Sequence, residues 1–530
     1  MGGKMSSKIV TASQAAAKIP DGALIGISGV GPWGAAMEVY QAVAERFEKE
    51  RHPADISLIH AGGNMFTPEF AKDGKLAAYY SGLPNLDSDL MASNQFPVYS
   101  LSQGIVAQLY RAQANDTPYL TKAGLNTFLD PRIEAGAGNG KARENPIVEV
   151  VEIGGEEYLH YNIPPITCAI IRATTADAEG NIIDEDEGVK HELLFLAMAV
   201  HNNGGLVIAQ VKNLARNGSL AGGAVKVPGM FVDYIVPCTD QAKWHWPASD
   251  APYSPALGGF GKTDESIIPF ESYAPKGERL VVARRAMSEL RPGCICNIGI
   301  GMPVGISYIA SKEGIQEMFF LSNELGAIGG HPGGDLFFPA SFNARAYMRH
   351  DEMFDFINGH GLDITFLGAA EVDEDGSVNV TRIGGKIKGS GGFVNISAST
   401  RKIVFISSFS IGGRYAVEDG MLKILNPGKG GKFLKKVDQI SFNGQDVIRK
   451  GQEVCYITER AVFELVNGKM RLIEYAPGLD VEKDILAFMD FKPEIAPDLK
   501  QMPLYCFETG LIGMKEQWEK QLLLERNDVT

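Results

Sequence analysis

Two distant stretches of the chain follow one plan. IPDGALIGISGVGPWGAAMEVYQAVAERF, from Ile19, and LRPGCICNIGIGMPVGISYIASKEG, from Leu290, each read as a polar turn with glycine, a short apolar strand, a glycine-rich turn and a helix. A second pair follows in the same order: ATTADAEGNIIDED, from Ala173, and GAAEVDEDGSVNVT, from Gly368. Each sets an aspartate three residues before a glycine, Asp177/Gly180 and Asp373/Gly376, which suits a strand entering a hairpin turn. Matches in the same order specify two related domains rather than a small-unit solenoid. The interval Gly22 to Gly180 exceeds Gly293 to Gly376 by about 75 residues, so the first copy carries an insert. We place it around 110–165, where TKAGLNTFLDPR, GAGNGK and the strand-like IVEVVEI lie. Between the copies, WPASDAPYSPALGGFGKTDESIIPF is rich in Pro, Gly and Ser and reads as a linker. The expected domains are 1–277, with the linker at about 246–277, and 278–530.

Strand-like runs (ADISLIHA, LVIAQV, ITFLGAAEV, KIVFISSF) alternate with helix-like ones such as HELLFLAMAV. That alternation predicts the α/β class with mostly parallel, open sheets. GMKEQWEKQLLLE predicts a terminal helix. The net charge of −14 argues against binding a nucleic-acid backbone. There is no long apolar run for a membrane helix, and MGGKMSSKIV has no apolar signal core, so a cytoplasmic protein is expected. The six cysteines include no C-x-x-C pair, and the histidines no H-x-x-x-H, so neither a disulfide framework nor a metal site is expected. Buried, reduced thiols are the expectation instead.

GISGVGPWG contains Gly29-x-Gly31-x-x-Gly34, the spacing of a dinucleotide-binding turn. Such a turn needs an acidic residue at the end of the second strand to hold the ribose. Here that strand, ISLIHAGGN, ends in His60, Ala61 and Gly62, with no carboxylate. A nicotinamide or flavin enzyme is therefore set aside. GGFGKT is a near miss to a P-loop: Ala256 stands where its first glycine belongs, and no strand precedes it. Close strand–helix packing explains such glycines equally well, since both copies have them. The amides near Gly29 remain candidates to line a carboxylate or acyl pocket.

The densest glycine region is FFLSNELGAIGGHPGGDLFF, from Phe319, with more glycines than packing alone asks for. Glu324 stands at the carboxyl end of its presumed strand, where ligands bind in open α/β sheets. With Gly326, Gly329 and Gly330 beside it, a bulky substrate can approach, and a carboxylate can act as a nucleophile. An ordinary solvated turn glutamate fits the same pattern. RIGGKIKGSGGFVNIS, from Arg382, offers Gly389, Gly391 and Gly392 with Lys386 and Lys388 to an oxyanion or phosphate, or forms a surface hairpin. In VYSLSQGIVAQLYRA, Gln103-Gly104 lies between a strand and a helix, where a side-chain amide can donate to an oxyanion or simply start the helix.

ELGAIGG, from Glu324, resembles the E-S-G-x-I-G-G motif of the family I coenzyme A transferases. NIGIGMPVGI, NTFLDPR, YSLSQG, GGKIKGSGGFVNIS, MFDFINGHGLDITFLGAAEVDEDGSVNV and ITERAVFELVNGKMRLIEYAPGLDVEKDILAFMDF are similar to that family too, so the likeness covers nearly the whole chain. It is closest to the single-chain branch acting on acetate, propionate and other short acyl groups. The resemblance implies two tandem open-sheet domains of one fold. It implies a ping-pong transfer of coenzyme A between an acyl-CoA and a free carboxylate, with Glu324 as nucleophile and Gln103 as oxyanion donor. Gly391 and Gly392 match a loop near the thioester; Gly29, Gly104, Gly326 and Lys386 complete the candidate substrate and coenzyme A contacts. Coenzyme A is then a substrate, no cofactor or metal is resident, and a homo-oligomer, a tetramer, is implied. Leu325 and His360 depart from the family pattern, which usually has a small or polar residue and a glycine there, and both bear on the shape of the acyl pocket. An acyl-CoA hydrolase on the same scaffold and a noncatalytic coenzyme A sensor are the alternatives.

Overall fold

Strands buried on both faces form the centre of each unit. Cys168–Asp177 is buried at all ten positions and Leu24–Ile27 at all four. Near-continuous apolar runs of this kind belong to parallel sheets covered on both sides. The polar exceptions are satisfied: Arg172 pairs with Glu187 at 2.6 Å, and Asp177 Oδ1 accepts from the Glu179 and Asn181 amides.

The computed structural model describes residues 7–63, 71, 76–245, 256–264, 268, 270–333 and 339–528. The chain divides into two compact units. The first is Met1–Lys262 with Tyr347–Asp355 and Lys386–Asn395; the second is Thr263–Ala346, Phe356–Gly385 and Ile396–Thr530. The division falls within the expected linker, much of which (246–255, 265–267 and 269) lies outside the described residues. The return of two later segments to the first unit is not written in the repeat. Within that unit, Gln108 Nε2 donates to Asp351 O at 3.0 Å and Asp355 Oδ1 at 2.8 Å, and His350 Nδ1 pairs with Glu192 at 2.8 Å.

In the first unit the parallel strands run in the order Tyr234–Pro237, Leu206–Ala215, Cys168–Asp177, Leu24–Ile27, Ile56–His60, Leu76–Ser81, Val98–Ser100. In the second unit the parallel strands are Glu453–Ile457, Lys402–Ile406, Ile364–Gly368, Ile295–Ile298 and Phe320–Ser322. Taken in chain order, these five repeat the first five places of the other sheet, which establishes the internal duplication. The paired hairpins agree as well. Gly180 N donates to Asp177 O at 3.0 Å and Gly376 N to Asp373 O at 2.9 Å, both glycines in the left-handed region. The insert forms its own antiparallel sheet of Tyr119–Thr121, Glu156–Tyr161 and Val148–Ile153. Gly154 and Gly155, both at positive φ, close its two-residue hairpin. The terminal helix is Met514–Asp528, and the buried Glu313 carboxylate accepts from the amide of its first residue and from Ile512 N and Gly513 N just before it. All six cysteines are buried and free.

At the carboxyl end of Ile56–His60, the His60 ring is wholly buried, donating from Nδ1 to Gly62 O with Nε2 2.9 Å from Tyr79 Oη. Burial pushes its pKa down to about 4. In the unfolded chain an imidazole titrates near 6.5, so between these values the unfolded state binds more protons. Stability supplied by neutral His60 is therefore complete above about pH 6.5 and lost as pH falls toward 4. Buried His191, also lowered to about 4, adds in the same direction. Denaturant titrations at pH 7.5 and pH 5 are expected to differ by on the order of 2 kcal/mol for each such histidine. His60→Asn should reduce that difference; an unchanged difference would show that His60 is already charged in the native state.

Candidate active site

Glu324 sits at the tip of a tight hairpin. The strand Phe320–Ser322 turns back into Ala327–Ile328, pairing Ser322 with Ile328. Asn323 builds the turn: its Oδ1 accepts from Leu325 N (3.1 Å) and Ala327 N (3.3 Å), and its Nδ2 donates to Pro339 O (2.7 Å). Gly326, at φ 101°, closes the loop by donating a hydrogen bond from its N–H to Asn323 O. Glu324 is left half-buried at the carboxyl end of a parallel sheet, and its neighbour Asn323 lines a small cavity with Ser322, Ser341 and the apolar Ile298, Val304, Leu321 and Pro332. A half-buried carboxylate on a rigid turn can meet an acyl group as a nucleophile. The following glycines have plainer duties than the sequence suggested. A Cβ on Gly329 would lie 2.5 Å from Arg345 Nε, and one on Gly330 2.3 Å from Phe342 O.

The departures from the family motif find local explanations. Leu325 is 2% exposed, so it packs inward rather than lining the carboxylate's approach. His360 occupies a left-handed position, φ 64°, after the helix His350–Asn358, and its Nδ1 lies 2.9 Å from Ser399 O. Asn323 was not singled out by sequence. Its position just before a glycine-rich turn is the available signal, since Asn side chains bond amides two residues on. Asn323→Ala is expected to loosen the turn, lowering kcat about tenfold and stability by about 1–2 kcal/mol; steady-state kinetics beside a denaturant titration measure both.

In the first unit the structure brings Gln103, Gly104 and Gly391 together. The helix Gln103–Ala114 starts directly after Ser102. Gln103 N donates to Gly391 O at 2.9 Å, Gly391 N to Gly82 O at 3.0 Å, and Ser102 Oγ to Gly391 O at 2.9 Å. Ser102 Oγ also donates to Asn395 Oδ1. Gly104 permits contact with Phe354 and Asn395, either of which a Cβ would strike. Gly391, by contrast, opens onto free space at φ 54°, with only the Gln103 amide near, 4.0 Å from a would-be Cβ. The Gln103 side chain is 3% exposed, and its Oε1 has no hydrogen-bond partner among the described residues. Leaving a buried amide oxygen unsatisfied costs about 1–3 kcal/mol, a cost that an amide kept for a ligand explains. Gly392 lies buried in the turn before the helix Phe393–Ser399, and Lys386 is exposed on the strand pair Lys386–Ile387 that leads toward it.

Gly29 lies apart from that cluster. The loop it begins closes on itself, Val30 N bonding Trp33 O (2.8 Å) and Trp33 N bonding Val30 O (3.0 Å), while Gly31 N donates to Gly63 O. A Cβ on Gly29 would lie 2.6 Å from Trp33 O, so the glycine is needed for this closure. Arg172 fastens the loop through the Pro32 and Ala35 carbonyls, and the helix begins only at Met37. These amides are spent within the protein, and no phosphate cradle forms. Glu324 and Gly326 belong to the second unit; the other candidates belong to the first. Among the described residues, no group of His, Cys, Asp or Glu is arranged to hold a metal ion, and no helix is long and apolar enough to cross a membrane.

The coenzyme A transferase family model matches residues 9–237. The chain is 40% identical to a caffeate CoA-transferase of Acetobacterium woodii, over 97% of this chain and 98% of that one. It is 36% identical to the acetate CoA-transferase YdiF of Escherichia coli O157:H7, over 95% and 96%. The crystal structure of that acyl-CoA transferase as apoenzyme superposes with a TM-score of 0.89 at 34% identity, covering 97% of this chain and 98% of the other. Its thioester complex with CoA gives the same score at 35% identity, over 96% and 97%.

Proposed function

The chain belongs to the coenzyme A transferase family, and from that premise we propose that it moves coenzyme A between a short-chain acyl-CoA and acetate, propionate or a similar carboxylate through a glutamyl-CoA thioester on Glu324. The observation that carries this reading is the Glu324 carboxylate, half-buried on a turn fixed by Asn323 at the carboxyl end of a parallel sheet. The solved thioester complex of YdiF with CoA supports a covalent route.

In this route a Glu324 oxygen attacks the acyl-CoA carbonyl, and the C–S bond breaks to give an acyl-glutamyl anhydride and CoA thiolate. The thiolate attacks the glutamyl carbonyl and releases the first carboxylate. An acceptor carboxylate then attacks the thioester, CoA leaves and returns to the acceptor's acyl carbon, and Glu324 is regenerated. Thioester energy is kept throughout, so neither ATP nor a metal is needed. Each addition builds an oxyanion, to which the Gln103 amide N–H donates. Rotation of the terminal amide presents either N or O to the ligand. The Gly391 loop lies beside that amide, and the family resemblance matches it to the loop near the thioester. A homotetramer in the cytoplasm belongs to the same reading, supported by the family resemblance.

Peptide mass spectrometry after incubation with acetyl-CoA tests the proposal. A CoA-sized adduct on the peptide containing Glu324 is expected, discharged by propionate with formation of propionyl-CoA. Acetyl-CoA hydrolysed without an adduct would make the chain a hydrolase; acetyl-CoA left untouched would make it a sensor.

A further inference from the structure

At the amino end of the second unit's sheet, a cavity of about 270 Å³ has Glu289, Arg291, Arg401, Lys402 and Glu453 in its lining. That volume is far above the roughly 10–15 Å³ that one water needs, so a small organic molecule fits. One wall is committed to internal pairs. Buried Arg285 donates from Nε to Glu474 Oε2 at 2.7 Å and from Nη1 to Glu289 Oε1 at 2.6 Å. The other Glu289 oxygen pairs with Lys402 Nζ at 2.6 Å. The backbone is fixed as well. Lys402 and Glu453 are register partners at the start of adjacent parallel strands, and Glu453 N donates to Arg401 O at 2.9 Å. Gln452 Nε2 donates to Ser397 O and Thr400 O, at 2.9 and 2.8 Å, which holds the turn that carries Arg401.

Three charged side chains on this frame have no internal duty. Arg291, Arg401 and Glu453 are exposed, and among the described residues none of them makes a side-chain hydrogen bond or an ion pair. Two guanidiniums and one carboxylate around one cavity complement a molecule with two anionic groups and one cation. The guanidinium fork matches the geometry of a carboxylate. Lys402 Nζ, with one carboxylate partner, has further donors to offer. In a chain of net charge −14, such a site also draws in an anion that the rest of the surface repels.

We propose that this cavity binds an acidic α-amino acid, with its two carboxylates on Arg291 and Arg401 and its ammonium on Glu453. The site is separate from Glu324 and does not rest on the coenzyme A transfer reading. Glu324 follows the carboxyl end of Phe320–Ser322, whereas Lys402 and Glu453 begin strands that run parallel to it in the same sheet. The five residues Lys402–Ile406 span about 16 Å, so the two sites lie at opposite ends of the sheet.

The test titrates L-glutamate calorimetrically into the full chain, into the double variant Arg291→Ala/Arg401→Ala and into Glu453→Gln, each checked for native circular dichroism. Glutarate, which has both carboxylates and no ammonium, is titrated in parallel, and ionic strength is matched throughout because salt screens exposed charges. The wild-type chain is expected to bind glutamate saturably and to gain thermal midpoint with it. The double variant should lose affinity for both ligands by about tenfold or more. Glu453→Gln should weaken glutamate by about fivefold and leave glutarate unchanged. Excess acetate, a carboxylate that would compete beside Glu324, should leave glutamate affinity as it was. No saturable glutamate binding, or a double variant that binds as the wild type does, would overturn the site. Glutarate bound as tightly as glutamate by the wild type would overturn the amino-acid class. Glutamate displaced by acetate would place it beside Glu324 and overturn the assignment.

Discussion

Glu324→Gln lowers kcat for coenzyme A transfer by an expected factor of about 10⁴ or more, some 5 kcal/mol of barrier. The amide has the shape of the carboxylate but no oxygen nucleophile, so neither the anhydride nor the glutamyl thioester can form. The turn should keep its backbone, because the Asn323 side chain and the Gly326 amide hold it. A thermal midpoint matching the wild type, acetyl-CoA binding that persists, and absence of the CoA adduct complete the expected pattern. Glu324→Asp should retain more activity than Glu324→Gln, at a cost of about 10²-fold, because shortening the side chain retracts a competent nucleophile. Transfer at the wild-type rate in Glu324→Gln would rule out this residue as the nucleophile.

Gln103→Ala carries the next largest expected effect, a fall in kcat of about 10²–10³. Its side-chain amide is buried with an unpartnered oxygen, beside the open Gly391 turn. Truncation removes a donor needed only while charge develops, so kcat and kcat/KM should fall together, with little change in acyl-CoA binding. Removing the unsatisfied oxygen should leave stability equal or higher. The main-chain bond from Gln103 N to Gly391 O survives the substitution, so the loop keeps its place. A rise in KM at constant kcat would instead assign Gln103 to uniform binding.

Repetition is what made the architecture legible. The Asp–Gly hairpins and the glycine-led strands recur because five parallel strands recur in the same order. Local chemistry writes such features into a few adjacent residues, and the Gly154–Gly155 hairpin of the insert is another case. Glu324 stood out because a charge among turn glycines interrupts an apolar strand. The equivalent position after Ile56–His60 offers only His60, Ala61 and Gly62, so the two copies are alike in frame and unlike in chemistry. What could not be read depends on partners far away in the chain. Arg172 reaches the loop carbonyls of Pro32 and Ala35, and Ser102 finds Asn395, across separations that no local pattern encodes. The Gly29 loop has the spacing of a phosphate cradle, set aside for want of an acidic partner, and Arg172 and buried Trp33 are the distant contacts that fold it shut. The return of Tyr347–Asp355 and Lys386–Asn395 to the first unit is unwritten for the same reason.

The return of Tyr347–Asp355 and Lys386–Asn395 to the first unit sets an order of events during synthesis. When Lys262 leaves the ribosome, the amide of Gln103 has no Gly391 carbonyl to meet, and Glu192 has no His350. Translation must deliver about 130 more residues first, which at about 5–20 residues per second takes roughly 6–26 s. Through that interval the amino-terminal half waits with the Gln103 helix start uncovered, and the segment that completes it is drawn from the half that also carries Glu324.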